Sequence, residues 1–202
     1  MHDPLPGAGR LPPLILVTDA ARLPDPAATI RRLPRGAAVI LRHYDAPGRA
    51  ALARRLAALC RRRGVRLLIA GDWRLAAAVG AGGVHLPEAA ARRGPPARGG
   101  GGLRRPGFLV TAAAHSPAAL WRAAKAGADA ALLSPVFPTA SHPGAAGIGA
   151  IRFVAWCRRS PLPVYALGGI DRHSARRLKG TGAAGFAALG ALAGIAGARA
   201  GC

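Results

Sequence analysis

Short, predominantly apolar runs recur along this chain about every 20–25 residues, and the stretches between them carry arginines at helical spacing. The runs fall at 14–17, 37–41, 65–70, 83–87, 108–113, 130–134, 163–167 and 185–189. Each is short, lacks polar–apolar alternation and is bounded by Gly, Pro or a polar pair, a pattern that predicts strands buried on both faces. The clearest segment between them is 47–63. There Leu52, Leu56, Leu59 and Cys60 repeat at helical spacing, Arg54, Arg55, Arg61 and Arg62 take other faces, and Gly64 stops the helix. Ser116-Pro117 opens another helix, with a hydroxyl cap followed by a residue whose φ is already set. Asp171 caps the helix after the seventh run, with Ala175 and Leu178 inward. Further helices are expected at 24–33, at 73–79, at 148–159 with Ile151, Val154 and Ala155 inward, and toward the C-terminus.

Eight strand-then-helix units call for parallel strands joined by right-handed crossovers, which predicts an α/β fold: one single-domain (β/α)8 barrel. An open doubly wound sheet lacks its Gly-x-Gly-x-x-Gly turn after the first strand. The expected organisation is a disordered tail over 1–13, the barrel over 14–192 and the end of a C-terminal helix over 193–202. A flexible Gly/Arg/Pro-rich loop is expected at 92–107. Its run Gly99 to Gly102 is not followed by Gly-Lys-Ser/Thr, so it is no phosphate loop of the Walker type.

Composition changes the picture in two places. Hydrophobic residues make up 51% of the 202, with a mean hydropathy of +0.22, which excludes a disordered chain. A net charge of +21 and a pI near 12 invite a nucleic-acid reading. Against it, arginine supplies nearly all the charge, aromatics are only 4%, too few for base-stacking platforms, and the arginines are expected along helix faces instead of in one tail. A basic RNA-associated protein therefore stands as an outside reading. Cys60, Cys157 and Cys202 form no C-x-x-C pair and, with no export signal at 1–13, fit reduced thiols in a cytoplasmic protein. The apolar stretch 183–198 is Ala- and Gly-rich and shorter than a span of about 18–20 residues, so no membrane partner is expected.

In a parallel barrel the chemistry lies where the strands end. The candidates there are Thr18 and Asp19, Arg42 and His43, Asp72, His85, His115, Ser134, Thr139, Ser141, His142, Gly168 and Gly169. Pro135 and Pro138 stiffen the exit of the sixth strand, and the loop beyond it, through Gly144 to Gly147, offers small donors and room for a ligand near the backbone. Gly168-Gly169 before a helix opened by Asp171 reads as a phosphate site, because glycine leaves backbone N–H groups uncovered. Arg42 could clamp a phosphate bidentately or pair with Asp45, and His115 could be catalytic or structural.

Val17-Thr18-Asp19, Gly83-Val84-His85-Leu86, His115-Ser116, Pro135-Val136-Phe137-Pro138-Thr139 and Pro163-Val164 through Gly168-Gly169-Ile170 occur in order. Together they resemble the thiamine phosphate synthase and thiazole tautomerase family over about residues 14 to 192. The resemblance implies a cytoplasmic transferase of thiamine biosynthesis that couples hydroxymethylpyrimidine pyrophosphate to thiazole phosphate and releases pyrophosphate. It implies small-molecule partners, Mg2+ as cofactor, and leaves homo-oligomerisation open. It places phosphate contacts at Thr139, Ser141, Gly147, Gly168 and Gly169, with Arg42, His115 and His142 as catalytic candidates.

The chain also departs from the family. Where the family has Gln-x-Arg-x-Lys on strand two, this sequence has Ile40, Arg42 and Tyr44. The family's Asn-Asp falls on Ala70-Gly71, leaving Asp72; its metal-binding Asp falls on Ala90, leaving Glu88. A serine after strand five is Ala113, and the loop lysine is His142. Three readings follow: a synthase whose pyrophosphate end uses Arg42, His43, Asp72, Glu88 and His142 as substitutes; a metal-free tautomerase with His115 or His142 as proton shuttle; or a thiazole-phosphate-binding barrel without turnover.

Overall fold

Eight parallel strands close on themselves in sequence order, β1-β2-β3-β4-β5-β6-β7-β8 and back to β1. The computed structural model describes residues 11–92, 106–139 and 146–189. Residues 1–10 of the expected 1–13 tail, most of the 92–107 loop, the 193–202 end and any C-terminal helix lie outside the described residues; 11–13 are held against the barrel instead, with Pro12 buried and the Pro13 carbonyl accepting the Phe186 N–H at 3.2 Å. The strands are β1 Leu14–Val17, β2 Ala38–Leu41, β3 Arg66–Ala70, β4 Gly83–Leu86, β5 Leu109–Ala114, β6 Ala130–Leu133, β7 Val164–Leu167 and β8 Gly185–Leu189. The helices between them are α1 Ala27–Arg32, α2 Arg49–Arg63, α3 Trp73–Ala78, α4 Glu88–Arg92, α5 Pro117–Lys125, α6 Gly149–Arg158 and α7 Arg172–Arg177.

The strand pattern has a simple cause. Alternate residues (Ile15 and Val17, Ala38 and Ile40, Leu68 and Ala70, Ala130 and Leu132) pack together inside the barrel, while their neighbours pack against the helices. Both faces are dry, so the strands read as apolar runs, interrupted only by Arg66 at the start of β3, His85 in β4 and Thr111 in β5. Tyr165 is fully buried within the barrel-interior cluster, and its hydroxyl donates to the Pro12 carbonyl at 2.8 Å. The register also demands a bare backbone at Gly83, where a Cβ would stand 2.1 Å from the Leu109 carbonyl oxygen.

Local signals set the helix ends. Ser116 accepts the Ala119 N–H at 3.2 Å. Asp171 accepts from Ser174 N–H at 2.7 Å while the Ser174 hydroxyl takes the Asp171 N–H, a complete capping box. Gly64 ends α2 at φ 64°. The expectation fails in α6. Ile151 is 87% exposed and Ala155 is exposed, while Phe153 is fully buried. Residues two apart on a helix lie about 200° apart, so seating Phe153 inward turns Ile151 and Ala155 out and brings Trp156 and Cys157 toward the core.

Candidate functional site

The strand ends surround a cavity of about 470 Å³, within the range that holds a small heterocyclic ligand. Val17, Leu132, Leu167 and Leu189 supply its apolar lining. Asp19, Arg22, Arg42, Tyr44, His85, His115, Ser134, Thr139 and Gly168 supply its polar one.

Arg42 is set by its neighbours at the exits of β1 and β2. Its backbone N–H donates to Thr18 Oγ1 at 3.1 Å, and the same hydroxyl meets His43 Nδ1 at 2.9 Å. Thr18 is fully buried and His43 nearly so, and the Nε2 of His43 has no hydrogen-bond partner among the described residues. His43 therefore does not line the cavity, against its expected part as a substitute at the pyrophosphate end; it holds the strand exit behind Arg42. Arg42 enters none of the ion pairs among the described residues, so the alternative pairing with Asp45 does not form.

His85 sits among the lining residues with Nδ1 2.9 Å from Thr111 Oγ1. Burial, reinforced by the nearby Arg42 charge, pushes its pKa down to about 3, so it stays neutral at physiological pH. His115 also lines the cavity, and its Nδ1 lies 2.6 Å from Glu88 Oε2. The Glu88 carboxylate accepts in addition from Arg92 at 2.9 Å and Arg122 at 3.0 Å. Burial alone would raise the Glu88 carboxyl; its hydrogen bonds from His115, Arg92 and Arg122 outweigh that and hold it below the usual carboxylate range.

These bonds decide the fit of the implied Mg2+. Glu88 is occupied by His115, Arg92 and Arg122, and Asp72 caps α3 by accepting the Leu75 N–H at 2.8 Å while facing Arg49 at 3.7 Å. Among the described residues no three His, Cys, Asp or Glu side chains converge on one point. Among the described residues, Asp72 and Glu88 are each engaged by other donors and do not fit Mg2+ as they are arranged.

The β6 and β7 exits are built from backbone. Gly168 and Gly169 both take left-handed φ, 91° and 62°. A Cβ on Gly168 would stand 2.8 Å from the Pro135 Cα, and one on Gly169 would stand 2.6 Å from the Pro138 carbonyl oxygen. The two segments are tied by Val136 N–H to Leu167 O at 2.9 Å and Phe137 N–H to Gly168 O at 3.1 Å. Among the described residues, the N–H groups of Gly168, Gly169 and Ile170 make no hydrogen bond.

Of the expected site residues, Arg42, His115, Thr139 and Gly168 share the cavity wall. Gly169 packs under the Phe137-Pro138 segment instead. Gly147 does not line the cavity either: a Cβ there would stand 2.5 Å from the Val136 carbonyl oxygen, so its role is close packing of backbone. Ser141 and His142 lie outside the described residues. Sequence reasoning missed Arg22 and gave Tyr44 no role. Arg22 follows Asp19, whose carboxylate accepts the Ala21 and Arg22 N–H groups at 3.1 Å. That Asx-type turn is visible in Asp19 at a strand exit.

Comparison with known proteins gives consistent findings. The family model described as thiamine monophosphate synthase matches residues 14–192. A thiamine-phosphate synthase of Thiobacillus denitrificans is 38% identical over 151 residues, 73% of this chain and 69% of that one. One of Chlorobium luteolum is 35% identical over 193 residues, covering 90% and 85%. Among solved structures, thiamine phosphate pyrophosphorylase from Pyrococcus furiosus superposes with a TM-score of 0.71 at 25% identity, covering 95% of this chain and 91% of that one.

Proposed function

The chain belongs to the thiamine monophosphate synthase family, and on that premise we propose that its cavity couples hydroxymethylpyrimidine pyrophosphate to thiazole phosphate, releasing pyrophosphate. The observation that carries this reading is the single cavity wall that joins Arg42 and Arg22 on one side to the backbone of Gly168 on the other. The thiazole phosphate is held at the β7 exit by the open N–H of Gly168, with Thr139 alongside. The heterocycles lie over Val17, Leu132 and Leu167. As the carbon–oxygen bond to pyrophosphate breaks, charge grows on the leaving group, and Arg42 is the guanidinium fixed to meet it. Mg2+ would add charge neutralisation there, but the residues present do not form its site.

The test is product formation from the two purified substrates, with and without Mg2+, by the wild type and by Arg42→Ala. Thiamine phosphate should form and depend on Arg42; no product at high enzyme concentration sinks the synthase reading. One observation favours a second reading, a tautomerase acting on a thiazole carboxylate phosphate. His115 faces the cavity with a carboxylate behind it, the arrangement of a proton shuttle. Aromatisation in EDTA that survives His115→Ala would remove that assignment.

A further inference from the structure

Each helix runs back against the strands, so helix C-termini gather at the barrel end opposite the cavity. There the structure concentrates arginines that the sequence pattern spreads along helix faces. Helix α1 ends in Arg31 and Arg32, α2 in Arg61, Arg62 and Arg63, and Arg35 lies in the turn before β2. The turns are tied together. Gly36 N–H donates to the Gly64 carbonyl at 2.8 Å, and the Arg35 guanidinium lies across Gly64, 3.2 Å from where a Cβ would stand. Arg61 reaches the Val79 carbonyl at 3.3 Å, so the turns after α1, α2 and α3 share one arginine-covered surface.

All six guanidinium-bearing residues are exposed, and none enters an ion pair among the described residues. Among the described residues the acids lie elsewhere. Asp19, Asp25, Asp45, Asp72, Glu88 and Asp171 follow strands or precede helices at the cavity end. Asp129 precedes β6 instead, across the barrel, and accepts the Val110 N–H at 2.7 Å. A helix C-terminus carries about half a negative charge, which accounts for one cation at each end but not for three at the end of α2. Exposed guanidiniums gathered on tied turns, with no ion-pair partner among the described residues, leave a positive field that an external anion would satisfy.

The character of the face selects the anion. Forked donors on tied turns suit phosphates. Among the described residues the exposed large apolar side chains are Tyr44, Trp121 and Ile151, in the loop before α2, in α5 and in the first turn of α6. None belongs to these turns, so the face has nothing to stack on bases or to enter a bilayer. We infer that the α1–α3 turns form a docking face for the phosphodiester backbone of duplex nucleic acid, engaged without sequence readout.

The test is anisotropy of a fluorescent RNA duplex of about 20 base pairs titrated with the full chain between about 50 and about 200 mM salt. If the six arginines each meet a phosphate, log K falls against log salt with a slope of about −5. R61E, R62E and R63E together should weaken binding at least about 30-fold at the lower salt and flatten the slope by about 3. A control with the same net charge, R54E, R74E and R152E, should stay within about threefold of wild type. Both triples are checked for a cooperative melt; if the first does not fold, R62Q with R63Q replaces it, with an expected loss of about fivefold. Absence of binding at low salt overturns the proposal, and so does equal weakening by the two triples. Capture on anionic vesicles without duplex binding overturns it as well. Because the readout is duplex affinity, these outcomes are independent of whether the cavity makes thiamine phosphate.

Discussion

The two sides of the cavity are made of different materials. At the β6–β7 exits the contacts are backbone: left-handed Gly168 and Gly169, bonds from Val136 and Phe137 across to Leu167 and Gly168, and uncovered N–H groups. At the β2–β4 exits they are side chains: Arg42 seated on Thr18 and His43, His85 on Thr111, and Glu88 bound by His115, Arg92 and Arg122. A backbone site tolerates change at every side chain except the glycines that permit it. A side-chain site can be rewired one residue at a time, and most departures from the family pattern fall on that side or beside it, His142 in the loop after β6 being the exception.

The largest expected effect removes the charge of the side-chain half. Arg42→Ala should lower kcat/KM by about 10³, or about 4 kcal/mol, with the thiazole phosphate KM nearly unchanged. A matching rise in the thiazole phosphate KM would mean that the two halves are not separate. The next breaks the backbone half. Gly168→Ala places a Cβ at φ 91° and 2.8 Å from the Pro135 Cα, which should cost about 3 kcal/mol in urea unfolding. Gly36→Ala, at φ 82° with nothing within 4 Å of its Cβ, isolates the φ term and should cost about 1 kcal/mol. Equal costs would show that the contact between the β6 and β7 exits is loose.

A pH experiment sharpens the comparison further. His85 has its pKa lowered in the fold from 6.5 to about 3. Between those values the unfolded chain binds a proton that the native chain does not, so stability is lost as pH falls from about 6.5 toward about 3. By pH ~5 the wild type should have lost about 2 kcal/mol more than His85→Gln, measured from pH ~7 for each. Parallel pH profiles for the two proteins would show that His85 is not buried neutral.

The same division explains what the sequence disclosed. The strands were legible because apolar runs buried on both faces cannot be much else, and Ser116, Asp171 and Gly64 announced their caps by residue type. Gly168-Gly169 was legible as a site, although only coordinates separate Gly168, on the cavity wall, from Gly169, packed beneath Pro138. The inward face of α6 was misread because Ile151 and Phe153 are both apolar, and only packing chooses between phases 200° apart. The occupied state of Glu88 was illegible, since Arg122 is 34 residues away and reaches it only once α4 and α5 are side by side. The cationic turns were hidden for a similar reason: arginines distant in sequence become neighbours only when every helix ends on the same side.

The smallest predicted effect asks whether the side-chain half depends on its buried support. Thr18 Oγ1 is the acceptor for the Arg42 N–H and the partner of His43 Nδ1. Thr18→Val keeps the shape and removes both bonds, and the site has no water-accessible surface through which solvent could replace them. If Thr18 positions Arg42, the KM for the pyrophosphate substrate should rise about tenfold, about 1.4 kcal/mol, with kcat changing less than twofold. Thr18→Ser restores the hydroxyl and should restore KM even though it leaves a methyl-sized gap costing about 1 kcal/mol of stability. The two variants thus pull stability and KM apart. A KM that tracks stability in both would reduce Thr18 to core packing, and Arg42 would then owe its place to β2 alone.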